Sequence, residues 1–331
     1  MRIIHCAPFN IVTKIGGTLY ANPVKISQGL LENNHFVHNF DYRDTARYYS
    51  FFKNKKGGVN KMNQLFLECV EAINPELIIF GHAELIAEET FYTLKRKNIK
   101  LILWYNDMII EEHLKKVGHL FDMVLITGAG QILQEVKTFN PNAFFLPNPV
   151  NHNVERHQGF TKLQTHDLLF SGRKDNERTK FIQLIQENLR TLDIKFIGQT
   201  HDQTVIGEPY FQLIADSKVC LNHSRDAYRY NKWYTSDRLM HILGNGSFCL
   251  SRTIIDGEDF FEDKLVYYDD FEDMRLKTLY YLENTQERIQ KTQWLHKRVH
   301  TLFNTKSISG YIIHLLEQNH KELCQYLWWE K

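Results

Sequence analysis

The stretch from residue 234 to residue 251 contains the side chains best suited to bind an anion. It begins with three residue types that cap helices, namely Thr235, Ser236 and Asp237. A helix beginning here would offer free backbone N–H groups and the positive end of its dipole, which suit a diphosphate. Arg238 and His241 lie three residues apart on this helix and therefore share one of its faces.

Glycines end this predicted helix, and a buried strand follows. Gly244 and Gly246 let the backbone turn and approach a ligand closely, and residues 247–251 continue as an apolar strand. A loop, a short helix, a glycine break and a strand in this order are typical of a nucleotide site. The same residues also fit an ordinary helix-to-strand turn with a surface arginine and a hydrogen-bonded histidine, so both interpretations stay open.

More cationic side chains follow the predicted strand 168–172. Arg173, Lys174 and Arg178 come after its carboxyl end, the edge at which open α/β sheets bind ligands. Together with Arg238 they could neutralise phosphate charge and stabilise a leaving diphosphate without a metal ion. Each of the three fits the solvated first turn of a helix equally well.

Two other strand ends are predicted at the same edge. Gly198 begins a loop, 198–207, whose backbone groups could hold a nucleotide base. Asn222 ends the strand 219–222 and is expected to face the same cleft.

Two candidate bases follow strands in the first half of the chain. His82 comes directly after the strand 77–81, and Asp107 comes after the strand 101–105. Either side chain could deprotonate a hydroxyl group near neutral pH. Asp107 fits the N-cap of a helix over 108–119 just as well.

Short apolar runs alternate with amphipathic segments of helix length, which is the pattern of a parallel sheet covered on both faces. In the first half the predicted strands are Ile3–Ala7, Phe36–Asp41, Leu77–Gly81, Leu101–Tyr105, Met123–Thr127 and Phe144–Pro147, with helices near 22–33, 61–73, 88–97, 111–119 and 129–138. A second series comprises Leu168–Gly172, Ile194–Gly198, Val219–Asn222, Phe248–Ser251 and Leu265–Tyr268. Because the pattern restarts, we predict an α/β protein of two Rossmann-like, doubly wound domains facing a cleft.

The polar segment 148–159 separates the two series and is predicted to be the linker. The expected domains are therefore 1–150 and 151–310, with the nucleotide on the second. A helix predicted over 308–326 is long enough to cross back, so residues 311–331 are expected to pack toward the N-terminal domain. The basic and aromatic segment 46–60 is predicted to be a mobile, solvated connection.

Composition limits the classes of partner. Lys+Arg number 40 against 39 Asp+Glu in 331 residues, a balance that argues against nucleic acid as the main ligand. The five cysteines are scattered without zinc-ligand spacing, and the histidines form no metalloprotease motif, so we expect reduced thiols, no metal and no cofactor.

No apolar run in the sequence is long enough to cross a bilayer, and the first ten residues are predicted to be a strand, not a signal peptide. We therefore expect a cytoplasmic protein. The tail ends in Trp328 and Trp329, which could sit at the inner face of a membrane, although packing on the N-terminal domain is the favoured alternative.

Several of these segments resemble glycosyltransferases of the GT-B fold, in particular the CgeB-like proteins and the C-terminal domain of the "glycosyl transferases group 1". The similar segments, over roughly 165–316, are Tyr234-Thr-Ser-Asp-Arg238 with His241 and Gly246, Leu169-Phe-Ser-Gly-Arg-Lys174 with Arg178, 265–273 and 280–284. One residue departs from the family pattern, because His241 stands where relatives have a glutamate that holds the ribose. A neutral imidazole can still accept one hydrogen bond while donating another.

The resemblance implies a metal-independent glycosyltransferase that moves a sugar from a nucleoside-diphosphate sugar to a glycan, a lipid-linked glycan or a protein. It also implies that Gly16 and Gly17, after the first strand, lie against the donor phosphates and the acceptor. If the reaction retains the anomeric configuration, as the resemblance suggests, His82 and Asp107 would orient sugar hydroxyls and no protein base would be required.

Two other functions are compatible with the same fold. One is a sugar-nucleotide epimerase, and the other is a sugar-binding or nucleotide-binding protein that lost activity together with the ribose glutamate. A nicotinamide dehydrogenase is disfavoured, because no Gly-x-Gly-x-x-Gly motif follows the first strand.

Overall fold

A computed structural model of the chain describes residues 1–12, 21–198 and 205–329. The chain forms two compact units, one comprising Met1–Pro147 with Thr305–Lys331 and the other Asn148–Asn304. The domain boundaries predicted from the sequence were 150 and 310, so the observed divisions at 147/148 and 304/305 fall slightly earlier in both cases.

The first unit alternates strands and helices from its beginning. Its elements in chain order are β1 (Arg2–Cys6), α1 (Asn22–Glu32), β2 (Phe36–Phe40), α2 (Tyr42–Tyr48), α3 (Val59–Ile73), β3 (Leu77–Gly81), α4 (Glu88–Arg96), β4 (Lys100–Tyr105), α5 (Glu112–Val117), β5 (Met123–Ile126), α6 (Gln131–Lys137) and β6 (Ala143–Phe145).

The second unit repeats this alternation and ends in helices. It contains β7 (His166–Ser171), α7 (Asn176–Asn188), β8 (Ile194–Ile197), α8 (Glu208–Ala215), β9 (Ser217–Asn222), α9 (Asp226–Arg229), α10 (Asp237–Gly244), β10 (Cys249–Arg252), α11 (Glu258–Phe261), β11 (Val266–Tyr268), α12 (Phe271–Glu283) and α13 (Thr285–Leu302). The chain then returns to the first unit with α14 (Thr305–Leu316) and α15 (His320–Leu323).

Both sheets are parallel, as the buried, continuously apolar strands predict. The strand order of the first sheet is β2-β1-β3-β4-β5-β6, and that of the second is β11-β10-β9-β7-β8. The order reverses direction between β1 and β3 in the first sheet and between β7 and β9 in the second. Ligands of open α/β sheets bind outside the carboxyl ends of the strands at such switch points.

The core of the second unit lies between its sheet and two of its helices. Phe170, Leu221 and Leu250 from neighbouring strands pack with Ile185 of α7 and Met274 of α12. On the opposite side, α10 packs against α8 and α13. Helices therefore cover both faces of the sheet, which makes the unit doubly wound.

The returning C-terminal segment packs on α1 of the first unit. The Ser309 hydroxyl donates to the carbonyl of Ile26 over 3.0 Å. A Cβ at Gly29 would overlap the carbonyl of Thr305, so only glycine lets the two helices approach this closely.

Two local predictions were only partly right. The first three residues of the connection predicted over 46–60 belong to α2. This helix begins after its N-cap Asp41, whose side chain accepts a hydrogen bond from the N–H of Asp44. The single helix predicted over 308–326 is broken between α14 and α15, where Gln318 has a φ of 53° and Asn319 caps α15.

Candidate functional site

Arg238 lies in the first turn of α10, and its guanidinium reaches the switch point of the second sheet. Its Nη1 donates to the carbonyl of Ser171 over 2.5 Å, and its Nη2 donates to the carbonyl of His223 over 2.7 Å. Ser171 is the last residue of β7, and His223 directly follows β9. The strand order reverses between these two strands. The guanidinium is therefore held at the edge where ligands of such sheets bind.

A second guanidinium, that of Arg178, lies beside the first. Arg178 belongs to the first turn of α7, and its Nη2 donates to the same His223 carbonyl over 3.4 Å. Burial, reinforced by the charge of Arg238, lowers the pKa of Arg178 to about 10. The Arg178 Nε is buried without a hydrogen-bond partner among the residues that the structure describes. The like charges of the two guanidinium groups repel each other, and an anion between or beside them would relieve that repulsion.

Two glycines let the backbone come close to these arginines. A Cβ at Gly172 would lie 2.9 Å from Arg238 Nη1 and 3.4 Å from Arg178 Cζ. Gly198, which follows β8, has a φ of 78°, and a Cβ there would lie 2.9 Å from the carbonyl oxygen of Gly172. The predicted loop residue Gly198 thus lies at the same edge of the sheet as the two arginines.

Asn222 and Ser236, both predicted site residues, fix the beginning of α10. The Asn222 Oδ1 accepts from the Ser236 hydroxyl at 2.9 Å and from Arg238 Nε at 3.2 Å. Ser236 is the N-cap, and its hydroxyl also accepts from the N–H of Leu239. The helix N-terminus and the arginines therefore lie at one edge, where the dipole and the side chains present positive charge together.

Arg173 and Lys174 lie in the connection between β7 and α7, and both are exposed. The Arg173 carbonyl accepts from Arg178 Nη1 over 3.2 Å. Within the described part of the chain, neither cationic side chain has an ion pair or hydrogen bond. Both are therefore long, solvated cations next to the arginine pair.

His241 and Gly246 lie apart from this cluster. His241 is buried against the rings of Tyr210 and Phe211, and its Nε2 is 3.8 Å from the carboxylate of Glu155. Gly246 precedes β10, at the amino end of the sheet, where its carbonyl accepts from the N–H of Phe160. The structure thus places Arg238 at one edge, Gly246 at the other, and His241 within the helix that joins them.

Sequence reasoning missed Arg252, which lies near the arginine pair, whereas it had placed His223 at the same edge. Arg252, at the end of β10, donates to Glu177 over 2.7 Å and contacts Asp226 at 2.8 Å. The His223 side chain stacks on Phe181 with ring centroids 3.8 Å apart, and burial lowers its pKa to about 2. Arg252 could have been found by the rule that was applied to Asn222, because it also ends a strand at this edge.

In the first unit, His82 lies at the switch point between β1 and β3. It follows β3 with a φ of 63°, and its ring makes an edge contact with Tyr105. Burial, followed by the charge of Arg43, lowers the pKa of His82 below its ordinary value. The imidazole is therefore neutral at neutral pH, which a general base requires.

Asp107 lies one strand further along the first sheet, after β4, and is exposed. It is not the N-cap of the following helix, because α5 begins at Glu112 after the N-cap Glu111. That alternative for Asp107 was wrong. Its negative charge acts on His82, where it opposes the effect of Arg43 on the pKa.

Gly16 and Gly17 lie outside the described residues. The backbone N–H groups that lead toward them are bound by carboxylates that follow β2: Asn10 donates to Asp41 over 2.7 Å, and Val12 donates to Asp44 over 2.9 Å. Burial raises the pKa of Asp41.

The described residues offer neither a metal site nor a helix that could span a membrane. They contain no cluster of histidine, cysteine and acidic side chains that could hold a metal ion. None of their helices is sufficiently long and apolar to span a membrane. The tail tryptophan Trp328 is 2% exposed and packs against Tyr311 and Tyr326 of the same C-terminal segment. The ring of Trp329 lies 5.9 Å from that of Phe144 in β6.

Comparisons with known proteins agree with this fold. Residues 173–312 match the family model described as "Glycosyl transferase-like". No curated protein sequence matches the chain.

Solved structures of several named proteins share this architecture. An alpha-glucosyltransferase in complex with UDP-glucose and DNA has a TM-score of 0.64 at 10% identity, covering 97% of this chain and 99% of that chain. The sucrose-phosphate synthase of Thermosynechococcus elongatus has a TM-score of 0.64 at 13% identity, covering 97% and 100%. A protein named as a UDP-N-acetylglucosamine 2-epimerase, from Listeria monocytogenes, has a TM-score of 0.54 at 9% identity, covering 97% of both chains. The predicted GT-B fold and the resemblance to GT-B glycosyltransferases are therefore confirmed.

Proposed function

We propose that the protein is a glycosyltransferase that moves a sugar from a nucleoside-diphosphate sugar to an acceptor without a metal ion. The observation that carries the proposal is the pair of guanidinium groups, Arg178 and Arg238, at the switch point of the second sheet. The N-terminus of α10 lies at the same edge. The family match over 173–312 includes all of these groups and supports the proposal.

The proposed role of this positive edge is to bind the diphosphate and to stabilise it as it leaves. When the bond between the anomeric carbon and the phosphate oxygen breaks, negative charge develops on the diphosphate. Charge-assisted hydrogen bonds from the unused N–H groups of the two guanidinium groups strengthen as that charge grows. Arg173 and Lys174, which are exposed beside the pair, add longer-range attraction for the incoming donor.

The acceptor oxygen forms the new bond to the anomeric carbon and must lose its proton. His82 and Asp107 are the candidates to take it, and the lowered pKa of His82 keeps its imidazole free to do so. In a retaining reaction the same two side chains would hold sugar hydroxyls. The proposed acceptors are glycans, lipid-linked glycans and proteins.

A thermal-shift screen against UDP, GDP, ADP, CDP and dTDP tests the donor site. A nucleotide present at about 100 times its dissociation constant stabilises the folded state by roughly 2.7 kcal/mol. For a unit of this size that raises Tm by about 5–10 °C. If none of the five nucleotides shifts Tm, the proposal is wrong.

Arg178→Gln is the informative variant in this screen, because it removes one guanidinium of the pair. We expect the nucleotide-induced shift to fall by at least half. Arg190→Gln is the matched control, since it removes the same charge from an exposed arginine beyond the far end of α7. Equal losses in both variants would indicate a general charge effect and not a site.

An epimerase is the second candidate, because a protein named as one shares the fold. A glycosyltransferase releases free nucleoside diphosphate as labelled sugar appears on an acceptor. An epimerase instead inverts one carbon of the sugar and needs no acceptor. Chromatography of the nucleotides and sugars after incubation with each donor therefore separates the two functions.

A further inference from the structure

Four aromatic side chains are exposed on one short segment of the first unit. Phe51 is 93% exposed, Phe52 80%, Tyr48 70% and Tyr49 45%. They lie in residues 48–56, at the end of α2 and in the connection to α3, which we call the aromatic–basic loop. Single exposed apolar residues are common on proteins, whereas four exposed aromatic rings on one segment form the kind of patch that is typical of interaction sites.

The loop is held in place from beneath, so the exposed rings occupy a defined position. Ser50 is buried, and the side-chain oxygen of Asn54 accepts from the N–H groups of Lys56 and Gly57. Gly58 lies against the carbonyl of Ala46, where a Cβ would overlap it. The rings of Phe51 and Phe52 form an edge contact with centroids 5.1 Å apart.

The charge on this segment has a single sign. Residues 45–67 contain no aspartate or glutamate and five cations, namely Arg47, Lys53, Lys55, Lys56 and Lys61. Arg47 is paired with Asp44 and Lys55 with Glu84. Lys53, Lys56 and Lys61 have no carboxylate partner in the described part of the chain. Positive charge is therefore concentrated around the aromatic tip of a chain whose formal net charge is only +1.

We propose that the aromatic–basic loop docks the protein on a lipid bilayer with anionic head groups. Phenylalanine and tyrosine rings partition into the interfacial region of a bilayer, and flanking lysines are attracted by a negative surface potential. The loop meets both requirements, since its tip is apolar and its rim is cationic. The proposal places membrane contact at this loop and not at the tryptophan tail, where the sequence had left such a contact open.

Co-sedimentation with phosphatidylcholine vesicles, with and without phosphatidylglycerol, tests the docking. We expect the protein to bind the anionic vesicles, to bind the neutral ones far more weakly, and to dissociate at high salt. Phe51→Ser with Phe52→Ser should lower the partition coefficient roughly tenfold or more. Each of Lys53→Gln and Lys56→Gln should lower it about fivefold.

Leu163→Ser is the matched control, because Leu163 is 91% exposed but belongs to the second unit. It should leave vesicle binding unchanged. All substituted side chains are exposed, so unchanged Tm and nucleotide binding will show that the variants fold.

Three results would overturn the proposal: no binding of the wild type to anionic vesicles, equal binding to neutral ones, or binding that survives the double serine substitution. Self-association in solution that the double substitution abolishes would also overturn it, because the loop would then be an interface between copies. Nucleotide binding is measured separately, so failure here leaves the proposed donor site untouched.

Discussion

Substitution of Gly172 by alanine tests the arginine pair with a single methyl group. The backbone of Gly172 is not among the positive-φ glycines, so alanine fits its conformation. The new Cβ would lie 2.9 Å from Arg238 Nη1, although ordinary contacts begin near 3.4 Å. The guanidinium must therefore move by about 0.5 Å. It is held by three hydrogen bonds, so it cannot move without weakening them.

The weakest of these bonds, from Arg238 Nε to Asn222 over 3.2 Å, would be lost first. Loss of a hydrogen bond to a charged group costs about 1.5–3 kcal/mol. We therefore expect the free energy of unfolding to fall by roughly 1–3 kcal/mol. We expect nucleotide affinity to fall about tenfold or more, because both guanidinium groups lose their position relative to a diphosphate.

The assay is isothermal titration with the nucleotide that gives the largest thermal shift, together with Tm without ligand. Gly81→Ala is the matched control. It adds a methyl group at the end of β3 in the first unit, 2.9 Å from the Cβ of Ala7, where no arginine is contacted. The control should lose stability and keep affinity. If Gly172→Ala loses stability but binds nucleotide as tightly as the wild type does, the arginine pair is not the phosphate site.

Three more outcomes are expected. Acid should destabilise the protein, because burial holds the folded pKa of His5 at about 3 and of His223 at about 2, whereas the unfolded side chains bind protons below 6.5. The free energy of unfolding therefore falls as pH falls below 6.5, by about 1.4 kcal/mol per pH unit for each histidine. In acid-unfolding curves, His223→Gln should halve the part of this slope that the two histidines cause. Gly198→Ala should lower the free energy of unfolding in urea titrations by roughly 1–2 kcal/mol or more, because its φ is 78° and the new Cβ meets backbone. His82→Asn should slow transfer without changing donor affinity, and wild-type kcat/KM should decline only below pH 6.5, since the pKa of His82 is lowered.

Each of these outcomes has its own control. His152→Gln, at an exposed histidine, should leave the acid slope as it is, and an unchanged slope in His223→Gln would contradict the assignment. If Gly198→Ala keeps wild-type stability, the backbone at Gly198 does not approach Gly172 closely. If His82→Asn transfers sugar at the wild-type rate and Asp107→Asn does not, the base is Asp107.

Much of the fold was predictable because its causes are local. The strand predicted as Leu77–Gly81 was found at those residues, and that predicted as Leu265–Tyr268 was found one residue shorter. Apolar periodicity and strand length are read directly along the chain. Helix α2 was missed although Asp41 is a good N-cap, because the basic and aromatic residues that follow were interpreted as loop.

The candidate site was predictable only in part. The rule that ligand-binding residues follow strands found Asn222, Arg178 and His82, because it needs strand positions alone. The same rule could not find the carboxylate of Glu155 near His241. These two residues are 86 positions apart, in the linker and in α10, and no sequence pattern connects them. A hydrogen bond from Arg238 to Ser171 likewise spans 67 residues.

The sequence by itself determined the alternation of strands and helices, the division into two α/β units, and the residue types able to bind a diphosphate. These follow from burial periodicity and side-chain chemistry, which depend on near neighbours along the chain. Only the tertiary structure decided the strand order, and with it that β7 lies beside β9 at the switch point. That order results from the packing of whole helices on the sheet. This strand order brings Arg178 and Arg238 to the same carbonyl, that of His223, and leaves Gly246 at the opposite edge of the second sheet.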